Sequence, residues 1–156
     1  MAVVSIYGEF GRAAAEAQPV GQADTRYSGQ PLMPLFEKVT FVAGNSIASL
    51  AYIGKLPSHA IIDPSSKVFF GAEGGTATFD IGDVNDPDGL ATDIDMSSAG
   101  SADLLEAVAA ADKLDPLWTH LSYATDPGGL LDLYITVATA AVTTGFSVTT
   151  AIRWSA

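Results

Sequence analysis

Cysteine is absent from the 156 residues. Disulfides and thiolate chemistry are therefore excluded, and the chain must be held by its core, by self-association or by docking onto something larger. Basic residues are scarce: Lys and Arg total 7 against 18 Asp and Glu, a formal charge of −11. Direct contact with DNA or RNA needs phosphate neutralisation, so this balance opposes it, and it opposes adhesion to anionic membranes as well. It favours solubility, or a basic protein partner. No apolar run reaches the roughly 18 residues of a membrane-spanning helix. Leu130 to Val142 comes nearest and carries Asp132. A secretory leader is not expected either. Ala15-Glu16-Ala17 imitates a cleavage site, but no basic segment precedes it, and Glu9 and Arg12 interrupt the apolar stretch. The expectation is a protein made and assembled in the cytoplasm.

Signatures of catalysis and metal binding are equally thin. His59 and His120 are the only histidines, and no spacing joins them to acids as a zinc site would. Ser46, Ser65 and Ser66 lack a Gly-x-Ser-x-Gly elbow, and Gly71 to Gly75 lacks the Gly-Lys-Ser/Thr ending of a phosphate loop. The segment Asp83 to Gly89, DVNDPDG, offers hard oxygen ligands in Asp83, Asn85, Asp86 and Asp88. It fails as an EF-hand loop. Pro87 takes the fifth position, Gly89 comes one place late, and Ile94 stands where the bidentate Glu belongs. A solvated turn is the better reading, so no metal and no cofactor are expected. Trp118 and Trp154 read as core or interface residues before sugar platforms.

What is present is 48% apolar residue content arranged in short alternating runs, enough for one domain with a proper core. Between Phe41 and Gly82, β-branched and aromatic runs alternate with turn clusters. Ile47, Ser49, Ala51 and Ile53 share one face of an extended segment expected to end at Gly54. Ala60 to Asp63 is a short run closed by Pro64, and Lys67 to Gly71 is another. From Thr76 to Ile81, Ala77, Phe79 and Ile81 oppose Thr76, Thr78 and Asp80, the period of two of a strand with one dry face. Gly44-Asn45 is a two-residue turn signal. Leu90 to Met96 resumes the alternation. Near the C-terminus Leu131, Leu133, Ile135 and Val137 line one face, and Phe146, Val148, Ile152 and Trp154 line another, which predicts a long antiparallel hairpin. The period changes only between Ser101 and Lys113. There Leu104, Leu105 and Val108 make an apolar stripe behind a Ser cap, predicting one short helix, and Leu117 to Tyr123 follows as a candidate strand. Turn residues every eight to twelve positions place the whole in the all-β class, sandwich or barrel.

Residues 1–33 differ. After Pro19 they turn to Gly, Gln, Ser and Pro, yet Val3, Val4, Ile6, Tyr7 and Phe10 are more apolar than a free tail usually is. The division expected is an N-terminal arm over 1–33 and a β-sandwich domain over 34–156.

The order Gly44…Ile47…Ile53-Gly54-Lys55-Leu56-Pro57, then Ala60-Ile61-Ile62, then Gly71…Thr76-Ala77-Thr78-Phe79-Asp80-Ile81-Gly82, then Asp86-Pro87-Asp88-Gly89-Leu90, resembles small head proteins of tailed bacteriophages. The leader around Tyr27-Ser28-Gly29 is similar too, and the resemblance spans roughly residues 20 to 155. The segment Ser101 to Tyr123 departs from it. The resemblance implies an antiparallel, jelly-roll-like β-sandwich with one short helix and an extended arm. It implies a non-enzymatic virion structural protein, a capsid decoration or cement protein that bridges major-capsid subunits on the capsid exterior. Its partners would be the major capsid protein and itself, with no direct nucleic acid and no membrane. A trimer is expected first, with Val3, Val4, Ile6, Tyr7 and Phe10 as candidate subunit or capsid contacts and the acidic stretch from Glu73 to Asp112 facing solvent or basic capsid residues. Two other classes compete. One is a carbohydrate- or receptor-binding jelly roll on a virion surface, using Tyr123 or Trp118 and a cation at the Asp83 loop. The other is a hydrolase with a dispersed site, which needs a polar pocket joining a His to a carboxylate.

Overall fold

The computed structural model describes residues 32–155. In chain order the strands are β1 (Met33–Phe41), β2 (Leu50–Pro57), β3 (Ile61–Ile62), β4 (Lys67–Phe70), β5 (Thr78–Gly82), β6 (Ala91–Asp95) and β7 (Gly100–Asp103). A single turn of helix, α1 (Leu117–His120), precedes β8 (Leu130–Ala138) and β9 (Phe146–Ser155). The strands pair antiparallel into two sheets. One runs β1-β9-β4-β7, with β3 also on β9, and the other runs β2-β8-β5-β6. Among consecutive strands only β5 and β6 are hydrogen-bonded neighbours. The rest of the chain passes back and forth between sheets, and that order of eight strands, with β3 as an addition, is the double Greek key of a jelly roll.

Period-two alternation explains the packing. β8 turns Leu131, Leu133, Ile135 and Val137 inward, all buried, and β9 turns Phe146, Val148 and Ile152 inward to the same core. Phe79 and Ile81 of β5 and Met96 just after β6 complete its centre with no exposed surface. Of Phe79, Ile81, Leu133, Ile135, Val148 and Trp154, the side chains whose alternation predicts a shared core, only Trp154 is less than buried. It lies at the sandwich margin, between Met33 of β1 and Ile62 of β3 in register.

Several expectations need correction. The predicted C-terminal hairpin does not exist: β8 and β9 lie in different sheets and oppose each other across the core. Both strands carry an apolar face, and facing those faces buries them as effectively as pairing edges would. The chain makes the passage at Thr139, a β-branched residue held at φ 59°. Its hydroxyl lies 2.8 Å from that of Thr78 and donates to Asp93 at 3.4 Å, which anchors a backbone conformation that β-branched residues rarely adopt. Gly44-Asn45 likewise turns the chain from one sheet to the other and not into a hairpin. The first extended segment begins later than expected, so Ile47 is exposed, and it does not end at Gly54. Gly54 is a bulge at φ +145°, where a Cβ would sit 2.8 Å from a Leu35 methyl, and β2 continues to Pro57. The bulge resets the alternation, so Ile53 and Leu56 are both buried three residues apart.

The expected helix between Ser101 and Lys113 is also absent. Gly100 to Asp103 pairs with β4, and Lys67 and Asp103 form an ion pair across that pairing. Leu104 and Leu105, both buried, then lead into a run of turns. Sheet pairing claims the residues that a helix would need for its first turn. Among the described residues the only helix is α1, within the stretch expected to be a strand. Its placement follows from Pro116, whose carbonyl accepts from Thr119, and from Leu117, whose N–H donates to Ala60.

Truncating Ile135 to Ala removes a fully buried side chain at the centre of β8. Equilibrium denaturation should show a loss of about 2–5 kcal/mol, and a loss below about 1 kcal/mol would remove β8 from the core.

Candidate interaction surfaces

The residues singled out for contact with other chains, Val3, Val4, Ile6, Tyr7 and Phe10, lie outside the described residues. Within them, the polar groups that drew a chemical reading are mostly engaged in holding loops. Ser66 is buried, donates to the Arg153 carbonyl and accepts the Arg153 N–H at 2.9 Å. His59 is exposed. His120 is half-buried with Nε2 unpartnered, and burial lowers its pKa against the opposing pull of Asp115 and Asp112. Trp118 packs at the edge of the core.

The Asp83 loop is a folded structural unit. The Asp83 carboxylate is buried and accepts the N–H of Asn85 at 2.8 Å and of Asp86 at 2.7 Å. Tyr123 donates its hydroxyl to the same carboxylate at 2.6 Å and accepts from Asn85 Nδ2 at 2.7 Å. The bond to Asp83 raises the tyrosine pKa, and the bond from Asn85 opposes it. The loop folds back onto β5 over Gly82, where any side chain would collide with the Asp86 and Pro87 backbone. Among the described residues no three His, Asp or Glu side chains are grouped to hold a metal ion.

Glu73 corrects the expectation that the acidic stretch faces outward. Its residue is 2% exposed, and it lies in the β4–β5 connection beneath the β8–β9 connection. Thr143 donates to it twice, through Oγ1 and N–H, both at 2.5 Å; the N–H groups of Gly75 and Thr144 add 2.7 and 3.2 Å bonds. The Thr143 bonds above all hold its pKa at about 2 instead of 4.5, against the cost of burial. Gly74, at φ +78°, lets the chain curl so that the Gly75 N–H meets the carboxylate of Glu73.

The open surface is divided by chemistry. On the outer face of β5 and β6 lie Asp80, Asp93 and, nearby, Asp88. Burial first, then the negative charges of Asp93 and Asp88, push the Asp80 pKa up, while the Asp93 N–H bond opposes them. Between the edges of β6 and β7 a shallow groove of about 180 Å³ is lined by Ala91, Ile94 and Ala102 with Asp103 and Glu106 at its rim. The opposite side, where β1 and β2 are the edge strands among the described residues, is apolar: Phe36 is 61% exposed, Ile47 56% and Leu50 51%. Tyr52 packs edge-on to Tyr134 there at 5.6 Å.

No family model matches the chain, and no curated protein does. Among solved structures, it is similar in fold to a chain described as "Cyanophage Pam1 capsid asymmetric unit". The TM-score is 0.59 at 18% identity, and the match covers 89% of this chain and 97% of that one. The match nearly exhausts each chain, so the two share a fold over similar lengths.

Two outcomes are expected. Glu73 has a depressed pKa in the fold, so its contribution to stability is complete above about pH 4.5 and is lost as pH falls towards 2. Glu73→Ala should cost about 2 kcal/mol at neutral pH, the scale of hydrogen bonds to a charged group, and should flatten the acid limb of the stability–pH curve. An unchanged acid limb would remove Glu73 as its cause. Adding a chelator should leave the melting temperature of the wild type unchanged, because protein donors occupy Asp83; a steep fall would identify a bound ion that stabilises the native state.

Proposed function

We propose that the chain is a virion structural protein, a capsid decoration or cement protein that bridges and stabilises major-capsid subunits on the outside of a phage head. The observation that carries the reading is the shared jelly roll, matched across nearly the whole of both chains, with a chain from a phage capsid asymmetric unit. A jelly roll serves many functions, so the chemistry of this one has to narrow the choice. A charge of −11 suits the outside of a shell and not its DNA side. The role is mechanical and not enzymatic: Ser66, Glu73, Asp83 and Tyr123 are spent on tying loops to sheets. A chain that withstands pressure without cysteine gains from such ties.

Its partners in this reading are the major capsid protein and further copies of itself, a trimer first. Residues 1–33 act as an arm, and Val3, Val4, Ile6, Tyr7 and Phe10 supply its apolar contacts. Such a segment is suited to lie in a groove or add a strand on a neighbour. The protein is assembled in the host cytoplasm and ends on the capsid exterior.

Co-sedimentation with undecorated capsids tests the proposal, using the full chain and a form lacking residues 1–17. The full chain should pellet with capsids and the shortened form should do so less. Equal occupancy of both would remove the arm from the attachment, and no binding of either would remove the decoration role.

A further inference from the structure

The two sides of the sandwich end differently. On the β1/β2 side the Leu35 methyls lie over Gly54 and close the gap between the sheets. On the other side the edge strands are β6 and β7, and there the gap stays open as the groove of about 180 Å³. Its cause is residue size. A bulge between the Phe79 and Ile81 pairings gives β6 one residue more than β5, so Ala91 and Ile94 both turn inward. Ala102 of β7, paired with the fully buried Val68 of β4, is the inward residue of the other sheet. Ala107 is added by the turns after β7. Alanines therefore stand where larger side chains would close the edge. An apolar cavity of roughly 150 Å³ holds a benzene, so this groove has room for one ring or one branched aliphatic side chain.

Charge selects what enters. From residue 68 to residue 112, which includes the whole lining, every charged residue is acidic. Glu106 is exposed at the rim. Asp93 and Asp95, both exposed, alternate along β6 with the lining residues Thr92 and Ile94. Lys67 reaches β7 from β4, but Asp103 takes it up in an ion pair. A second copy of this chain, at −11, is repelled from such a rim. A segment with Arg or Lys on either side of an apolar residue is matched twice. Its anchor leaves water, and its long aliphatic stems cover the alanine walls while their charged ends stay at the rim. The contact is side-chain insertion and not strand addition, because Asp93, at φ 50°, interrupts the extended backbone of β6.

We infer that the β6/β7 groove is the docking site for a basic segment of a partner protein. One apolar side chain is seated among Ala91, Ile94, Ala102 and Ala107, and flanking Arg or Lys side chains are set against Glu106, Asp93 and Asp95. For the identity of that partner, the major capsid protein, the inference rests on the reading above; the fit of the groove does not.

Two binding measurements test it. In the first, the capped peptide Arg-Leu-Arg is titrated into the full chain and the methyl resonances of Ala91, Ile94, Ala102 and Ala107 are followed by NMR. Those methyls should shift saturably with Arg-Leu-Arg and stay unmoved with Glu-Leu-Glu, and Arg-Ser-Arg should bind about tenfold more weakly, the scale of one lost anchor. Ala107→Trp fills the groove and Glu106→Lys reverses its rim, so each should weaken Arg-Leu-Arg about tenfold. Glu37→Lys, the same change of charge on the opposite side, should not weaken it. All three positions are exposed, so the melting temperatures should not move. Equal binding of Arg-Leu-Arg and Glu-Leu-Glu, shifts confined to other methyls, or indifference to both groove variants would overturn the inference. Tighter peptide binding on deletion of residues 1–31 would make the chain's own N-terminal segment the occupant and overturn the partner. In the second, undecorated capsids are pelleted with each variant. Wild type and Glu37→Lys should pellet alike, and the two groove variants should do so about tenfold less. Undiminished pelleting of both groove variants would overturn the groove as the attachment site and leave the decoration role standing. A groove that takes the peptide on a chain that never pellets would leave the groove standing and remove the capsid as its partner.

Discussion

The meeting of β8 and β9 through the core is the contact on which the rest depends. Each is the long strand of its sheet. β2 and β5 pair on β8, while β1, β3 and β4 pair on β9; only β6 and β7 stand one strand further out. Leu133, Ile135 and Val137 from one and Val148 and Ile152 from the other have no exposed surface. Burial of each such side chain is worth about 1.5–3 kcal/mol. A slip of one residue in either strand would turn that whole set towards water, so register is fixed from the inside.

This arrangement also explains what could be read in the sequence. Alternation is a local property, and it located most strands and their inward faces: Phe79, Ile81, Leu133, Ile135 and Val148 were identifiable as core before any coordinates. Pairing is not local. Two adjacent apolar faces read the same whether the strands lie side by side or face to face, so β8 and β9 passed for a hairpin. The feature that separates the cases, Thr139 in a left-handed conformation, has no signal in its residue type. Leu104, Leu105 and Val108 imitate a helical stripe, but Lys67 and Val68 of β4 take Asp103 and Ala102 as partners first. The candidate surfaces were legible to a lesser degree. The acidity of the middle of the chain is plain, yet nothing in the sequence distinguishes the buried Glu73 and Asp83 from the exposed acids around them.

Those two carboxylates follow from the composition. Basic side chains are few among the described residues: Lys38, Lys55, Lys67, Lys113 and Arg153. Neither buried acid has one beside it. Both are satisfied by backbone N–H groups and a hydroxyl, and for Glu73 these bonds hold the carboxylate in its charged form. Thr143 and Thr144 tie the β8–β9 connection to Glu73, and Tyr123 ties the segment after α1 to Asp83, so these clamps stand where a cysteine-containing protein of this size would use crosslinks. The Glu73 clamp works only while charged, which links the β4–β5 and β8–β9 connections to acid.

The four sheet edges are treated unequally. β6 and β7 are short, 5 and 4 residues, and are flanked by Asp93, Asp95, Asp103 and Glu106. Short, charged edges are how proteins discourage unwanted strand addition. β1 and β2 are longer, 9 and 8 residues, and are flanked by Phe36, Leu50 and Tyr52. Even here the backbone is not an open template. Pro34 has no N–H to give, and the bulge at Gly54 breaks the regular spacing of β2. Side chains and not a continued ladder therefore dominate what this side can offer to another surface. Contacts of that kind depend on the shape and apolarity of this side, where Glu37 is the only acid between residues 32 and 62 and Asp132, beside β2, is paired with Lys55.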